Sequence, residues 1–151
     1  MQSDDALSER ELERELAIKG GRVTVRELRA RVTSIDPRVV LLRELDGATV
    51  ETLTIMGQVI DELTRGLDGY SVLIDLSDAS GMTTLEYRRF IPQFFTKLHE
   101  QGGLKHVAVA FYGNAAVRIA SKFLIARMMS VPFSIHANRA QALHAARAAL
   151  G

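Results

Sequence analysis

The side chains best suited to chemistry follow one apolar segment. Val72-Leu73-Ile74 leads into Asp75-Leu76-Ser77-Asp78. Ligands of open α/β sheets gather at the carboxyl ends of strands, so a reactive carboxylate at Asp75 or Asp78 is one hypothesis. A phospho-receiver site would also need a Ser or Thr and a Lys at the ends of the next two strands. Those strands end in Phe111-Tyr112-Gly113 and His136-Ala137-Asn138. We therefore expect Asp75 to accept hydrogen bonds from local backbone amides instead.

The next residues, 79 to 84, are rich in hydroxyl groups and connect this strand to a predicted helix. The free N–H groups at a helix N-terminus favour negative charge. Phosphorylation at Ser80, Thr83 or Thr84 is therefore one hypothesis, because a phosphate would add negative charge and strong acceptors there. The alternative is that Thr83 or Thr84 simply caps the helix. The sequence leaves both interpretations open.

The histidines show no metal-binding spacing. His99, His106, His136 and His144 fall on four different predicted elements, and the chain has no cysteine. It also lacks a GxSxG elbow, a GxGxxG fingerprint and a phosphate-binding loop. Because no nucleophile and base can be paired from the sequence, we predict a protein that is not an enzyme and has no metal or other cofactor.

A second candidate site lies on the helix predicted for residues 114–129. Arg118, Lys122, Ile125 and Met129 follow one another at intervals of four, three and four residues, so they share one face. Apolar side chains beside cations suit a surface that binds a partner protein. The alternative is that Ile125 and Met129 are buried against a neighbouring element.

Hydrophobic periodicity predicts the elements that position these residues. Ser8 and Glu11 form a capping-box signature, which predicts a helix ending at Gly20-Gly21. Alternation at Leu28, Ala30 and Val32 predicts a strand, and a turn at residues 36–37 pairs it with the next one. The further strands are predicted at 39–42, 72–76, 106–112 and 133–136, and the helices at 53–67, 84–100, 114–129 and 138–150. This alternation predicts an α/β fold whose mixed sheet is mainly parallel, with an antiparallel edge strand and flanking helices.

Composition limits the class of protein. The 151 residues are 47% hydrophobic and 25% charged, as in a single globular domain. A formal net charge of +1 indicates no nucleic-acid partner. No segment is apolar enough for a membrane span, and the charged first residues do not resemble a signal peptide, so we expect a cytoplasmic protein.

The charges are distributed unevenly along the chain. Residues 1–20 carry six acidic and three basic side chains, whereas residues 101–151 carry six basic and no acidic ones. Such asymmetry suits self-association or an anionic partner.

From about Leu28 to Leu150 the chain resembles the STAS family of anti-sigma-factor antagonists and transporter domains, and most of all its SpoIIAA-like branch. The resemblance depends on the early strand pair, the strand Val72–Ser77, the turn Asp78–Met82 and the β-α-β-α tail. It implies one STAS-like domain, to which we assign residues 22–151, and the helix predicted from the capping box then forms an N-terminal extension over residues 1–20. It also implies a module that binds other proteins.

The turn departs from the family pattern. Members carry Asp-Ser-Ser-Gly, with the first serine phosphorylated, but Ala79 stands at that position and Ser80 matches only the second serine. The family's phosphorylation switch is therefore not expected. The expected function is a non-enzymatic protein–protein interaction module in bacterial regulation, whose partner is a regulatory protein or a second copy in a homodimer. The alternatives are a small-molecule or lipid-binding domain, and an enzyme that uses Asp75 and Asp78.

Overall fold

The computed structural model describes residues 7–79, 84–112 and 130–151. Six of the residues singled out above lie outside these ranges: Ser80, Thr83, Arg118, Lys122, Ile125 and Met129. The described elements, in chain order, are α1 (Glu9–Leu12), β1 (Glu15–Ile18), β2 (Gly21–Thr24), α2 (Val25–Ala30), β3 (Val32–Asp36), β4 (Val39–Arg43), α3 (Val50–Thr64), β5 (Tyr70–Asp75), α4 (Leu85–Gly102), β6 (Leu104–Ala110), β7 (Phe133–His136) and α5 (Arg139–Ala148).

Five of these strands form one sheet in the order β3-β4-β5-β6-β7. β3 pairs antiparallel with β4, and every other neighbouring pair is parallel. The predicted α/β class is therefore confirmed, including the antiparallel edge strand. Because β4 to β7 are parallel, their carboxyl ends lie along the same edge of the sheet, which we call the carboxyl edge.

Helices cover both faces of this sheet. On one face, α3 packs on β3 and β4 and α4 packs on β6, over large buried side chains. On the other face, α5 packs on β4, β5, β6 and β7 through Ala142 and Ala146, which are fully buried. Among the described residues, no helix is both long enough and apolar enough to cross a lipid bilayer.

The predicted N-terminal helix up to Gly20 is wrong beyond its first turn. The capping box of Ser8 and Glu11 does form, but α1 ends at Leu12. β1 and β2 then form a separate two-stranded antiparallel sheet in which Leu16 lies opposite Val23. Both side chains are buried in the same core as α3, so the burial of Leu16 reflects a strand rather than a helix. Gly20, with φ +88°, turns this hairpin instead of ending a helix.

The predicted strand around Leu28 and Ala30 is also wrong. These residues belong to α2, and the strand β3 begins only at Val32. Thr24 caps α2 by accepting the amide of Glu27, while the Glu27 carboxylate accepts the amide and the hydroxyl of Thr24. This reciprocal cap satisfies donors that a strand would have paired with a neighbour, and so it favours a helix.

Candidate functional site

Polar side chains converge at the carboxyl edge. β4 ends at Arg43 and is followed by Glu44, and β5 ends at Asp75. The backbone amide of Glu44 donates to the carbonyl oxygen of Asp75 at 3.0 Å, so the two chain segments remain adjacent after the strands end. The side chain of Asp75 faces α5, because Asp75 pairs with Ala110 on that face. Glu44 instead contacts α4, on the opposite face.

Asp75 is held by two groups. Its side chain is only 1% exposed, and its Oδ2 accepts hydrogen bonds from Nε and Nη2 of Arg139 at 2.9 and 2.6 Å. Its Oδ1 accepts the backbone amide of Ser77 at 2.9 Å. Burial raises the pKa of Asp75, but the hydrogen bonds from Ser77 and Arg139 outweigh it, so the pKa lies below the ordinary value. Asp75 is thus an ionised, hydrogen-bonded carboxylate.

The sequence-based expectation that Asp75 accepts a local amide is confirmed by Ser77. The cation that neutralises Asp75 was missed, because Arg139 lies 64 residues further along the chain. Arg139 is the first residue of α5 and reaches Asp75 from the helix N-terminus. The one usable signal was the absence of acidic residues in 101–151, because any ion pair that a cation of this segment forms within the chain has to reach an acidic residue earlier in the sequence.

Asp78 is also paired with an arginine. Its Oδ2 lies 3.3 Å from Nη1 of Arg31, and the Asp78 side chain is about half exposed. The same Nη1 is 3.2 Å from the carbonyl oxygen of Arg43 and 3.4 Å from that of Glu44. Arg31 therefore joins the end of α2 to the backbone that follows β4.

Sequence reasoning missed the buried pair formed by Glu44 and Tyr87. Glu44 is 8% exposed and Tyr87 is 3% exposed. The Tyr87 hydroxyl donates to Oε2 of Glu44, and the amide of Leu45 donates to Oε1 at 3.0 Å. Burial raises the pKa of Glu44 above its ordinary value, despite the opposing effect of both hydrogen bonds. Burial and the adjacent Glu44 likewise raise the pKa of Tyr87.

Thr84 lies at the start of α4 and caps this helix. Its Oγ1 accepts the backbone amide of Tyr87 at 3.1 Å. The capping interpretation of Thr84 is therefore confirmed. Phosphorylation of Thr84 remains a prediction, and those of Ser80 and Thr83 fall outside the described residues.

Two large apolar side chains are exposed in the segments that follow β5 and β6. Leu85, the first residue of α4, is 55% exposed, and Tyr112, two residues after the end of β6, is 48% exposed. Both residues follow neighbouring strands, β5 and β6, at the carboxyl edge. Leu63 on α3, at 36%, is the other large hydrophobic residue that is exposed within the described ranges.

The fold brings two of the four histidines together. Nε2 of His106 on β6 and Nε2 of His136 on β7 lie 2.8 and 2.6 Å from Oγ of Ser134. His99 is elsewhere, with Nδ1 2.6 Å from the carbonyl oxygen of Leu104. Within residues 7–79, 84–112 and 130–151, no three His, Asp or Glu side chains are grouped so that they could hold a metal ion.

The chemistry of the carboxyl edge follows from these contacts. Asp75 accepts hydrogen bonds from Arg139, Asp78 pairs with Arg31, and Glu44 accepts a hydrogen bond from Tyr87. Each of these carboxylates is therefore held in place by another side chain. The exposed side chains of Leu85 and Tyr112, in the segments after β5 and β6, offer apolar contact area. No family model matches the chain, and neither a curated protein nor a solved structure matches it.

Proposed function

We propose that the protein is a non-enzymatic protein–protein interaction module in bacterial regulation, and that its carboxyl edge is the docking surface. The observation that carries the proposal is that the carboxyl edge has both exposed apolar side chains and carboxylates that are already hydrogen-bonded. Leu85 and Tyr112 expose about half of their surface in the segments that follow β5 and β6, and the hydrogen-bonded carboxylates lie at or just after the ends of β4 and β5. Aromatic and apolar anchors with neighbouring arginines are typical of protein interfaces.

The state of Asp75 argues against the enzyme alternative. A carboxylate that acts as a nucleophile or base must reach its substrate. The side chain of Asp75 is buried, and both of its oxygens accept hydrogen bonds from the chain itself. Its lowered pKa also makes it a weak proton acceptor. These properties support a role in positioning Arg139 and α5.

The resemblance to STAS domains supports the same class of function. Members of that family act by binding other proteins. The strand Val72–Ser77 that carries the resemblance largely coincides with β5, which is central in the sheet. Because Ala79 replaces the family's first switch serine, we propose regulation by partner binding rather than by phosphorylation at that position.

Site-specific photocrosslinking in the native cells tests this proposal. A photoreactive phenylalanine analogue is placed at Leu85 or at Tyr112, and at Leu63 as a matched control on α3. We expect a crosslinked species of one defined mass from the two edge positions and none from Leu63. Mass spectrometry then identifies the partner, and a species of twice the monomer mass identifies a second copy.

Three outcomes would contradict the proposal. The first is the absence of any protein adduct at Leu85 and Tyr112. The second is the same adducts at Leu63 as at the edge, which indicates nonspecific contact. The third is a small molecule that is retained by the chain in native mass spectrometry and released by substitution of Leu85 or Tyr112. That result would favour the ligand-binding alternative.

A further inference from the structure

Two imidazoles and one hydroxyl meet on strands β6 and β7, on the face of the sheet that α5 covers. Ala108 pairs with Ser134, and Ala110 pairs with His136. Side chains two residues apart on a strand share a face, so His106, Ser134 and His136 all lie on the side of Ala108 and Ala110. Both histidines are half-buried.

Both imidazole rings direct their Nε2 atoms at the side-chain oxygen of Ser134. Nε2 of His106 is 2.8 Å from the Ser134 oxygen, and Nε2 of His136 is 2.6 Å from it. The hydroxyl has a single hydrogen to donate. At least one of the two rings must therefore donate its own Nε2–H to Ser134, while the other can present a lone pair. The two rings are thus positioned by the strands and oriented by a shared oxygen.

We propose that His106 and His136 form a binding site for a divalent transition metal ion of the Zn²⁺ class, with the Ser134 oxygen and water completing the ligands. Neutral imidazole is a preferred ligand of Zn²⁺, Cu²⁺ and Ni²⁺. On metal binding both rings would take the tautomer whose hydrogen is on Nδ1, and the two Nε2 lone pairs would turn from the Ser134 oxygen to the ion. The hydroxyl and water are needed because no third His, Asp or Glu joins the pair among the described residues.

Isothermal titration of the untagged chain with Zn²⁺ tests the site. We expect one Zn²⁺ per chain, and we expect His106→Gln and His136→Gln each to weaken binding by at least about tenfold. His144→Gln is the matched control, because His144 lies exposed on α5 and should leave the affinity unchanged. Absence of binding to the unmodified chain, or equal weakening by His144→Gln, would overturn the proposal.

A second measurement uses the unmodified chain, so it does not depend on whether a variant folds. Diethylpyrocarbonate modifies accessible imidazoles, and peptide mapping locates the modified histidines. We expect Zn²⁺ to protect His106 and His136 and to leave His144 reactive. Modification of His106 and His136 at the same rate with and without Zn²⁺ would overturn the site.

Discussion

α3 and α4 cover one face of the five-stranded sheet with large buried apolar side chains, whereas the fully buried side chains of α5 on the other face are alanines and its Leu143 is only partly buried. Leu53, Met56 and Ile60 of α3 are almost completely buried on the first face. On the second face, Ala142 and Ala146 of α5 pack against the sheet. Because an alanine buries much less surface than a leucine, burial alone contributes less to holding α5.

On the second face, hydrogen bonds and ion pairs compensate for the smaller apolar area that α5 buries. These polar contacts lie at both ends of the helix. At the start of α5, Arg139 forms a salt bridge with Asp75. Near the end of the helix, Nε of Arg147 lies 2.5 Å from Oδ2 of Asp36. Ser71, fully buried on β5, donates its hydroxyl to the carbonyl oxygen of Ala146 at 2.8 Å. That carbonyl belongs to the last turn of the helix, where backbone acceptors lack helical partners. The comparison predicts that a cavity has its largest effect on the first face, whereas removal of a charged side chain weakens the second face in a way that depends on pH and salt.

The largest expected effect is a cavity on the first face. Leu53→Ala should lower the free energy of unfolding by about 2–5 kcal/mol, because a fully buried side chain is removed from the core. Leu63→Ala on the same helix is the matched control and should cost less than about 1 kcal/mol, since Leu63 is partly exposed. Urea denaturation measures both. Equal losses would mean that the packing of α3 does not dominate this face.

Removing the negative charge of Asp75, which pairs with Arg139 at the N-terminus of α5, should have the next largest effect. Asp75→Asn should lower the free energy of unfolding by about 1–3 kcal/mol at pH 7, because the buried hydrogen bonds to Arg139 and Ser77 are weakened. The folded pKa of Asp75 lies below its ordinary value. Ionised Asp75 therefore stabilises the fold above the unfolded pKa near 3.9, and the contribution disappears as the pH falls through the folded pKa.

Urea denaturation of Asp75→Asn between pH 7 and pH 3 checks this sign. The deficit relative to the unmodified chain should shrink as the pH falls. Asp78→Asn, at a half-exposed carboxylate, is the control and should cost less than about 1 kcal/mol at either pH. A deficit for Asp75→Asn that is the same at pH 3 and pH 7 would show that its charge is not what holds α5.

The buried carboxyl on the first face should respond to pH in the opposite direction. Burial raises the folded pKa of Glu44, so its contribution is most favourable below the unfolded pKa near 4.3 and is lost as the pH rises through the folded pKa. Glu44→Gln should therefore raise the free energy of unfolding by about 1 kcal/mol at pH 7, since the amide oxygen can still accept the Leu45 amide without a buried charge. At pH 4 the gain should vanish.

Thermal unfolding at the two pH values measures the effect of Glu44→Gln. Tyr87→Phe is the matched variant, because it keeps the ring and removes only the hydroxyl that donates to Glu44. It should destabilise the protein more at pH 7 than at pH 4. The interpretation of a costly buried charge would fail if Glu44→Gln were equally destabilising at both pH values.

The smallest effect is expected at the far end of α5. Arg147→Gln should cost less than about 1 kcal/mol, because the Arg147 side chain is about half exposed and such ion pairs are weak. The loss should diminish further at 1 M salt, where charges are screened within about 3 Å. Urea denaturation at low and high salt measures it. A loss above about 2 kcal/mol that does not depend on salt would show that the pair of Arg147 and Asp36 holds α5 as strongly as the pair of Arg139 and buried Asp75.

Sequence periodicity correctly predicted several elements whose apolar residues recur at regular spacing. β4, β5, β7 and α3 were predicted close to their observed bounds, because most of their apolar residues contact the core, although Leu63 of α3 is exposed. The turn at Asp36-Pro37 correctly predicted the antiparallel edge. The Asn138 cap also correctly placed the start of α5.

The errors arose where spacing fits two structures. Leu12 and Leu16 lie four residues apart, which suits one helical face and also alternate positions of a strand. The capping box of Thr24 and Glu27 is the same signature as that of Ser8 and Glu11, and it would have identified α2. The pairs Arg139–Asp75 and Tyr87–Glu44 join residues far apart in the chain, so only the fold reveals them.

The order of the strands has a consequence for how the chain is made. Strands β3 to β7 are neighbours in the sheet in the same order as in the chain, and α5 comes after all of them. During translation, β3 to β6 and the helices of the first face are therefore complete before α5 has been synthesised. Val39, Leu41 and Leu73, which α5 buries, then lack their cover. At about 5–20 residues per second, the nascent chain presents this apolar strip for several seconds, and during that time it is a binding site for a chaperone or a point of aggregation.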